Sequence, residues 1–69
     1  MSDEAATRVE RATCLAADVL GGIEAAEAWM GTRQGELGWR TPVEVLSTQA
    51  GFTHVTEVLL AVGRRLALP

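Results

Sequence analysis

The stretch Thr41-Pro42-Val43-Glu44-Val45-Leu46-Ser47-Thr48-Gln49-Ala50-Gly51 carries the clearest local signature in the chain. Thr41 can accept from the backbone amides of a first helical turn. Pro42 suits the N1 position, where an amide would lack a partner anyway. Glu44 stands at N3 and can reach back to the cap, which completes a capping box. Val43, Leu46 and Ala50 follow at helical spacing, and Gly51 reads as the stop. One helix is therefore predicted between Thr41 and Gly51.

Downstream, the next segment runs from about Thr53 to Leu66. Val55, Val58, Leu59, Val62 and Leu66 form a stripe of helical period, with Glu57 on the other side. Gly63 weakens its last turn, so Ala67-Leu68-Pro69 is expected to be loose. Upstream, Gly31 to Arg40 holds three glycines and reads as a looped corner. Before it, Ile23 to Met30 forms a helix whose apolar side is Ile23, Ala26, Trp29 and Met30, with Gly31 ending it. The first helix spans about Asp3 to Leu20. Ala12, Leu15, Ala16 and Val19 gather on one side and point on to Ile23. The acids Asp3 and Glu4 suit the positive N-terminal end, and Gly21 suits the left-handed position after the last turn. No window alternates like a strand. The predicted fold is all-α: a small domain of four short antiparallel helices with a glycine-rich corner loop at Gly31–Arg40.

Composition limits the rest. The chain has 69 residues, 48% of them hydrophobic and 22% charged. That is one domain at most, expected to span 1–69, and too apolar for a disordered tail. No apolar run approaches the roughly 18 residues of a membrane span. The acidic start, Met1-Ser2-Asp3-Glu4, leads into no apolar signal core. One cysteine allows no internal disulfide, so a reducing cytoplasm is expected. A domain this small buries only about 60% of its unfolded surface. Self-association or a partner is expected to supply some of the missing burial, and a deep substrate cleft is not expected.

The catalytic inventory is poor, and the chain is read as a non-enzyme without cofactor or metal. Only Ser2 and Ser47 are present, and neither lies in a nucleophile elbow. The single histidine, His54, reads as a helix-surface residue. Cys14 lies between Glu10 and Asp18, whose charges disfavour the thiolate, and reads as an unreactive surface or contact thiol. Glu24 and Glu27 read as a solvated helix face. The glycines at 31, 35 and 38 follow no strand and match no phosphate-binding pattern.

The charge balance argues against nucleic acid. Nine acids oppose six bases, all of them arginine, for a net charge of −3. Residues 43–62 have the length of a helix-turn-helix, and Ala50-Gly51-Phe52-Thr53 looks like the turn of AraC-type regulators. The would-be reading face offers Thr53, His54, Thr56 and Glu57, with no cation for phosphate or guanine. A small helix-turn-helix regulator remains the alternative expectation.

The tryptophans differ in setting. Trp29 lies on an apolar helix side and reads as core. Trp39 lies in the corner beside Arg40, where it can fold back over the helices or stand in an interface, a setting in which tryptophan and arginine are enriched.

From Ala12 onward, the order of these signals resembles the toxin-binding domain of Xre/MbcA/ParS-type antitoxins. The first helix ends Ala16-Ala17-Asp18-Val19-Leu20-Gly21. The second gives Ala25-Ala26-Glu27-Ala28-Trp29-Met30-Gly31-Thr32. The block Leu37-Gly38-Trp39-Arg40-Thr41-Pro42 leads into the short helix and Gly51, and Val55, Leu59 and Leu60 match the last helix. In three places the chain departs from the family pattern. Arg33-Gln34 stands where proline is usual after the tryptophan. Trp39 stands where the loop often has a second glycine, and Gly63-Arg64-Arg65-Leu66 replaces the usual arginine-containing end. A separate N-terminal DNA-binding domain, common in the family, is not expected here.

The resemblance implies a type II antitoxin whose cognate partner is a RES-type, NAD-consuming toxin. Such a domain binds the toxin and blocks its active site, with its C-terminal region reaching toward the substrate cleft. Carried over by position, the toxin-binding residues are Arg64, Arg65, Leu66, Ala67, Leu68 and Pro69, with Trp39 and Arg40 as further contacts. A mobile end with two arginines suits a cleft that receives a pyrophosphate.

Overall fold

The computed structural model describes residues 4–67. Four α-helices follow in order: α1 Glu4–Leu20, α2 Ile23–Met30, α3 Pro42–Val45 and α4 Gln49–Ala67, with a 3-10 turn at Gly35–Leu37 between α2 and α3. The class is all-α, as predicted. α1 matches its predicted span to within a residue, whereas α4 starts at Gln49, four residues earlier than expected, and α3 is a single turn. α1 packs on α2 and α4, and α4 also covers α3 and the 3-10 turn.

The helix boundaries follow local chemistry. α1 ends at Gly21, whose φ of 90° takes the left-handed position, and the amides of Gly21 and Gly22 both donate to the Ala17 carbonyl. α2 is closed by side chains. The Thr32 hydroxyl donates to the Ala28 carbonyl at 2.6 Å, and the Gln34 amide donates to the carbonyls of Trp29 and Thr32. α3 carries the full capping box. Glu44 N donates to Thr41 Oγ1, while Thr41 N donates to Glu44 Oε1 at 2.9 Å.

The largest departure from expectation is at Gly51. Its place in the pattern predicts the end of the third helix, but it lies inside α4. Chain reversal occurs earlier, at 46–48, and Thr48 caps α4 by accepting from the Gly51 amide at 3.0 Å. The glycine is there for closeness rather than as a stop: a Cβ at position 51 would overlap the Val45 carbonyl oxygen and come within 2.8 Å of its carbon. α3 is thus cut to four residues because α4 must cross it at backbone contact.

The core consists of Ala12 and Ala16 from α1, Ala26 and Met30 from α2, Leu37 from the 3-10 turn, Leu46, and Val55, Val58 and Leu59 from α4. Trp29 packs against it while half-buried. Ile23 and Leu66, placed on the inward stripes by periodicity, are 54% and 64% exposed. Both lie where a helix starts or runs past its neighbours. At Gly63 a Cβ would meet Val19 Cγ1 at 3.4 Å, so α1 and α4 approach closely there.

Arg8 joins the two halves of the chain. Its Nε donates to the Leu46 carbonyl and its Nη2 to the Ser47 carbonyl, both at 2.8 Å. These carbonyls follow α3, so a cation on α1 satisfies the end of a helix 38 residues away.

Candidate functional site

The corner between α2 and α3 is closed by its own backbone. Leu37 N and Trp39 N both donate to the Gln34 carbonyl at 3.0 Å, and Gln34 N donates to the Arg40 carbonyl at 3.1 Å. Leu37 is driven into the core, 4% exposed. Gly38 and Trp39 follow in left-handed conformation, with φ of 69° and 62°. Trp39 is the sole non-glycine residue with positive φ among the described residues, and it is 70% exposed. Of the two settings open to it from the sequence, the core is therefore excluded. The corner is a hydrogen-bonded unit rather than a loop defined by its glycines.

The corner meets the end of α4. Arg65 Nη2 lies 3.5 Å from Glu36 Oε2, across exposed side chains. Such a surface pair contributes about 0–1 kcal/mol and exchanges easily for another anion. Arg64 is one residue earlier, about 100° around the helix, and so faces elsewhere. Leu66 continues the buried stripe of Leu59 and Val62 beyond its neighbours, and Ala67 is exposed. The helix predicted to about Leu66 runs one residue further. Arg64, Arg65, Leu66 and Ala67 form the last turn of α4, where two cations complement the negative end of the helix. Leu68 and Pro69 lie outside the described residues.

Of the toxin-binding candidates, the structure thus brings Arg65 to the corner that holds Trp39 and Arg40. Arg33 belongs with them: its Nη1 donates to the Trp39 carbonyl at 3.4 Å. Glu44 is also close. Its carboxyl is held below the ordinary range by the Thr41 backbone amide first and the Thr41 hydroxyl second, with smaller help from Arg33 and Arg40. The arginines at 33, 40 and 64 have no carboxylate within 4.0 Å among the described residues. The corner thus gathers Arg33, Arg40 and Arg65 beside the carboxylates of Glu36 and Glu44.

Sequence reasoning passes over Arg33, Gln34 and Arg8. A signal for Arg8 exists: it stands four residues before Ala12 and eight before Ala16, on the line that faces inward. Gln34 leaves no pattern, because its role is set by how the loop closes.

Elsewhere the surface offers little chemistry. Cys14 and His54 are exposed. A shallow open depression of about 460 Å³ is lined by Gly21, Gly22, Ile23, Glu24 and Ala25. Among the described residues no three His, Cys, Asp or Glu side chains converge as a metal site would need, and no helix is long and apolar enough to cross a membrane.

The helix-turn-helix expectation is not met. Its turn would fall at 50–53, which lies within α4, and its first helix would need 43–50, where α3 stops at Val45. The geometry is that of a small all-α domain with an exposed aromatic and arginines at one end. Residues 15–63, more than two thirds of the chain, match the antitoxin Xre/MbcA/ParS C-terminal toxin-binding domain. The chain belongs to this family, and its partner is a toxin. Trp39 and Arg40 fall inside the matched residues, and residues 64–69 fall outside them. No curated protein and no solved structure shows significant similarity to the chain.

Proposed function

We propose that this chain is the antitoxin of a type II toxin–antitoxin pair, that its cognate toxin is of the RES type and consumes NAD, and that it acts by covering the toxin's active site. It catalyses nothing itself, works in the cytoplasm and assembles as a homo-oligomer with the toxin. The observation that carries this reading is the family match over residues 15–63.

The geometry supports the mode of action. The last turn of α4 carries two exposed arginines, Arg65 beside Glu36 and Arg64 on another side, together with the exposed Leu66. A guanidinium binds pyrophosphate or carboxylate oxygens through paired hydrogen bonds. A rigid helix end delivers that group with less ordering cost than a loose tail. Arg64, Arg65, Leu66, Ala67, Leu68 and Pro69 form the inhibitory end, and Trp39 and Arg40 form a second contact.

Truncation tests the assignment. Deleting residues 64–69 is expected to weaken inhibition of the toxin's NAD consumption and to leave the helical circular-dichroism signal largely intact. Full inhibition by the truncated chain removes this end from the mechanism.

A further inference from the structure

Trp39 is in the wrong backbone conformation for its side chain. At a φ of 62°, the β-carbon crowds its own backbone, and glycine is the residue that fits. Such strain persists only where the surroundings enforce it. Here the enforcement is visible. Trp39 N is held by Gln34 and its carbonyl by Arg33, Gln34 N closes on Arg40, and the Gln34 side chain anchors the loop to the end of α2. The strain is not offset by burial, because the residue is 70% exposed. The fold thus holds a large apolar side chain in water, on a rigid mount, at an energetic loss to the free protein.

We propose that Trp39 is the anchor by which this domain seats on its toxin, inserting into an apolar pocket whose rim carries carboxylates facing Arg33 and Arg40. This rests on the toxin-binding reading above and assigns a role within it. A pre-positioned indole loses little conformational freedom on docking, and tryptophan and arginine dominate the energetic centres of interfaces. The charge of the partner follows from the flanks. Arg33 and Arg40 are exposed and have no carboxylate within 4.0 Å among the described residues; Glu44 is near enough to feel both charges, but its carboxylate is engaged by Thr41. Through Glu36 and Arg65 this contact is continuous with the end of α4, so one partner can span both.

The test is Trp39→Gly in the full chain, assayed for thermal stability and for affinity to the cognate RES-type toxin proposed above. Glycine relieves the strain and removes the anchor. The expected result is a melting temperature at or above that of the parent together with a loss of affinity of at least about 30-fold, the size of an interface hot spot. Trp39→Phe should retain more affinity than Trp39→Gly. If Trp39→Gly binds within about threefold of the parent, the anchor is wrong and the antitoxin reading stands. If Trp39→Gly melts lower, Trp39 is a structural residue and the inference falls. If the parent chain itself does not bind the toxin, both fall together.

Discussion

A β-carbon at Gly51 would collide with the backbone carbonyl of Val45. The relationship fixes the crossing of α4 over α3, and α4 in turn carries both the core stripe and the arginine end. Because the obstacle is backbone, no side chain can rotate away to relieve it. Gly51→Ala is expected to destabilise by about 3 kcal/mol, at the upper end of overpacking costs. A domain of this size shifts its melting temperature by about 4–8 °C per kcal/mol, so thermal melts should show a loss above about 10 °C. An unchanged melt would mean that α3 and α4 do not cross at backbone contact.

Arg8 should matter as much as a core residue. Its side chain is 14% exposed and donates to Leu46 and Ser47. Arg8→Met keeps the aliphatic stem and strips the donors. Hydrogen bonds from charged groups contribute about 1.5–3 kcal/mol, and a loss in that range is expected in denaturant titration. Glu4 sits 4.0 Å from Arg8 and is exposed, so Glu4→Gln should change little.

Acid should weaken the Thr41–Glu44 capping box. The Glu44 carboxyl titrates below its ordinary value in the folded chain, chiefly because the Thr41 amide donates to it. The unfolded chain therefore binds the proton first as pH falls, and the contribution of the carboxylate to stability is lost as pH drops through the folded value. Melts of the parent and Glu44→Gln should differ at neutral pH, with the parent higher, and converge only once the pH has fallen through the lowered folded value of Glu44. A difference that persists unchanged into acid would contradict the assignment.

Gly63 behaves differently from Gly51. It is helical, and a Cβ there meets Val19 Cγ1 at 3.4 Å, an ordinary contact. Gly63→Ala should therefore gain helix propensity, about 0.5–1 kcal/mol, and melt higher. Gly63→Leu should melt lower, because the added atoms have no room against α1. Both variants rising together would show that the α1–α4 contact is loose at this point.

The contrast between these glycines shows what is legible in the sequence. Gly21 acts locally, by its φ, and local pattern finds it. The capping box at Thr41–Glu44 is also local and is legible to the residue. Gly51 acts through a contact between two elements, and along the chain it is indistinguishable from a helix stop. The same limit applies to the candidate site. Trp39 stands out for its setting, but only the three-dimensional loop reveals its left-handed backbone and its link to Arg33. The last turn of α4 is expected to be weak because Gly63 lowers propensity there, whereas in the structure the helix continues past Gly63 to Ala67.

If this domain silences a NAD-consuming toxin by occupying its surface, as proposed, the cell's NAD pool reports it. The measurement is cellular NAD during expression of the proposed cognate RES-type toxin, with and without this chain, followed by co-purification. NAD is expected to collapse with the toxin alone and to be preserved when both are expressed, with the two proteins eluting as one complex. NAD depletion unaffected by the chain, with the two proteins eluting separately, would show that this domain does not silence the toxin.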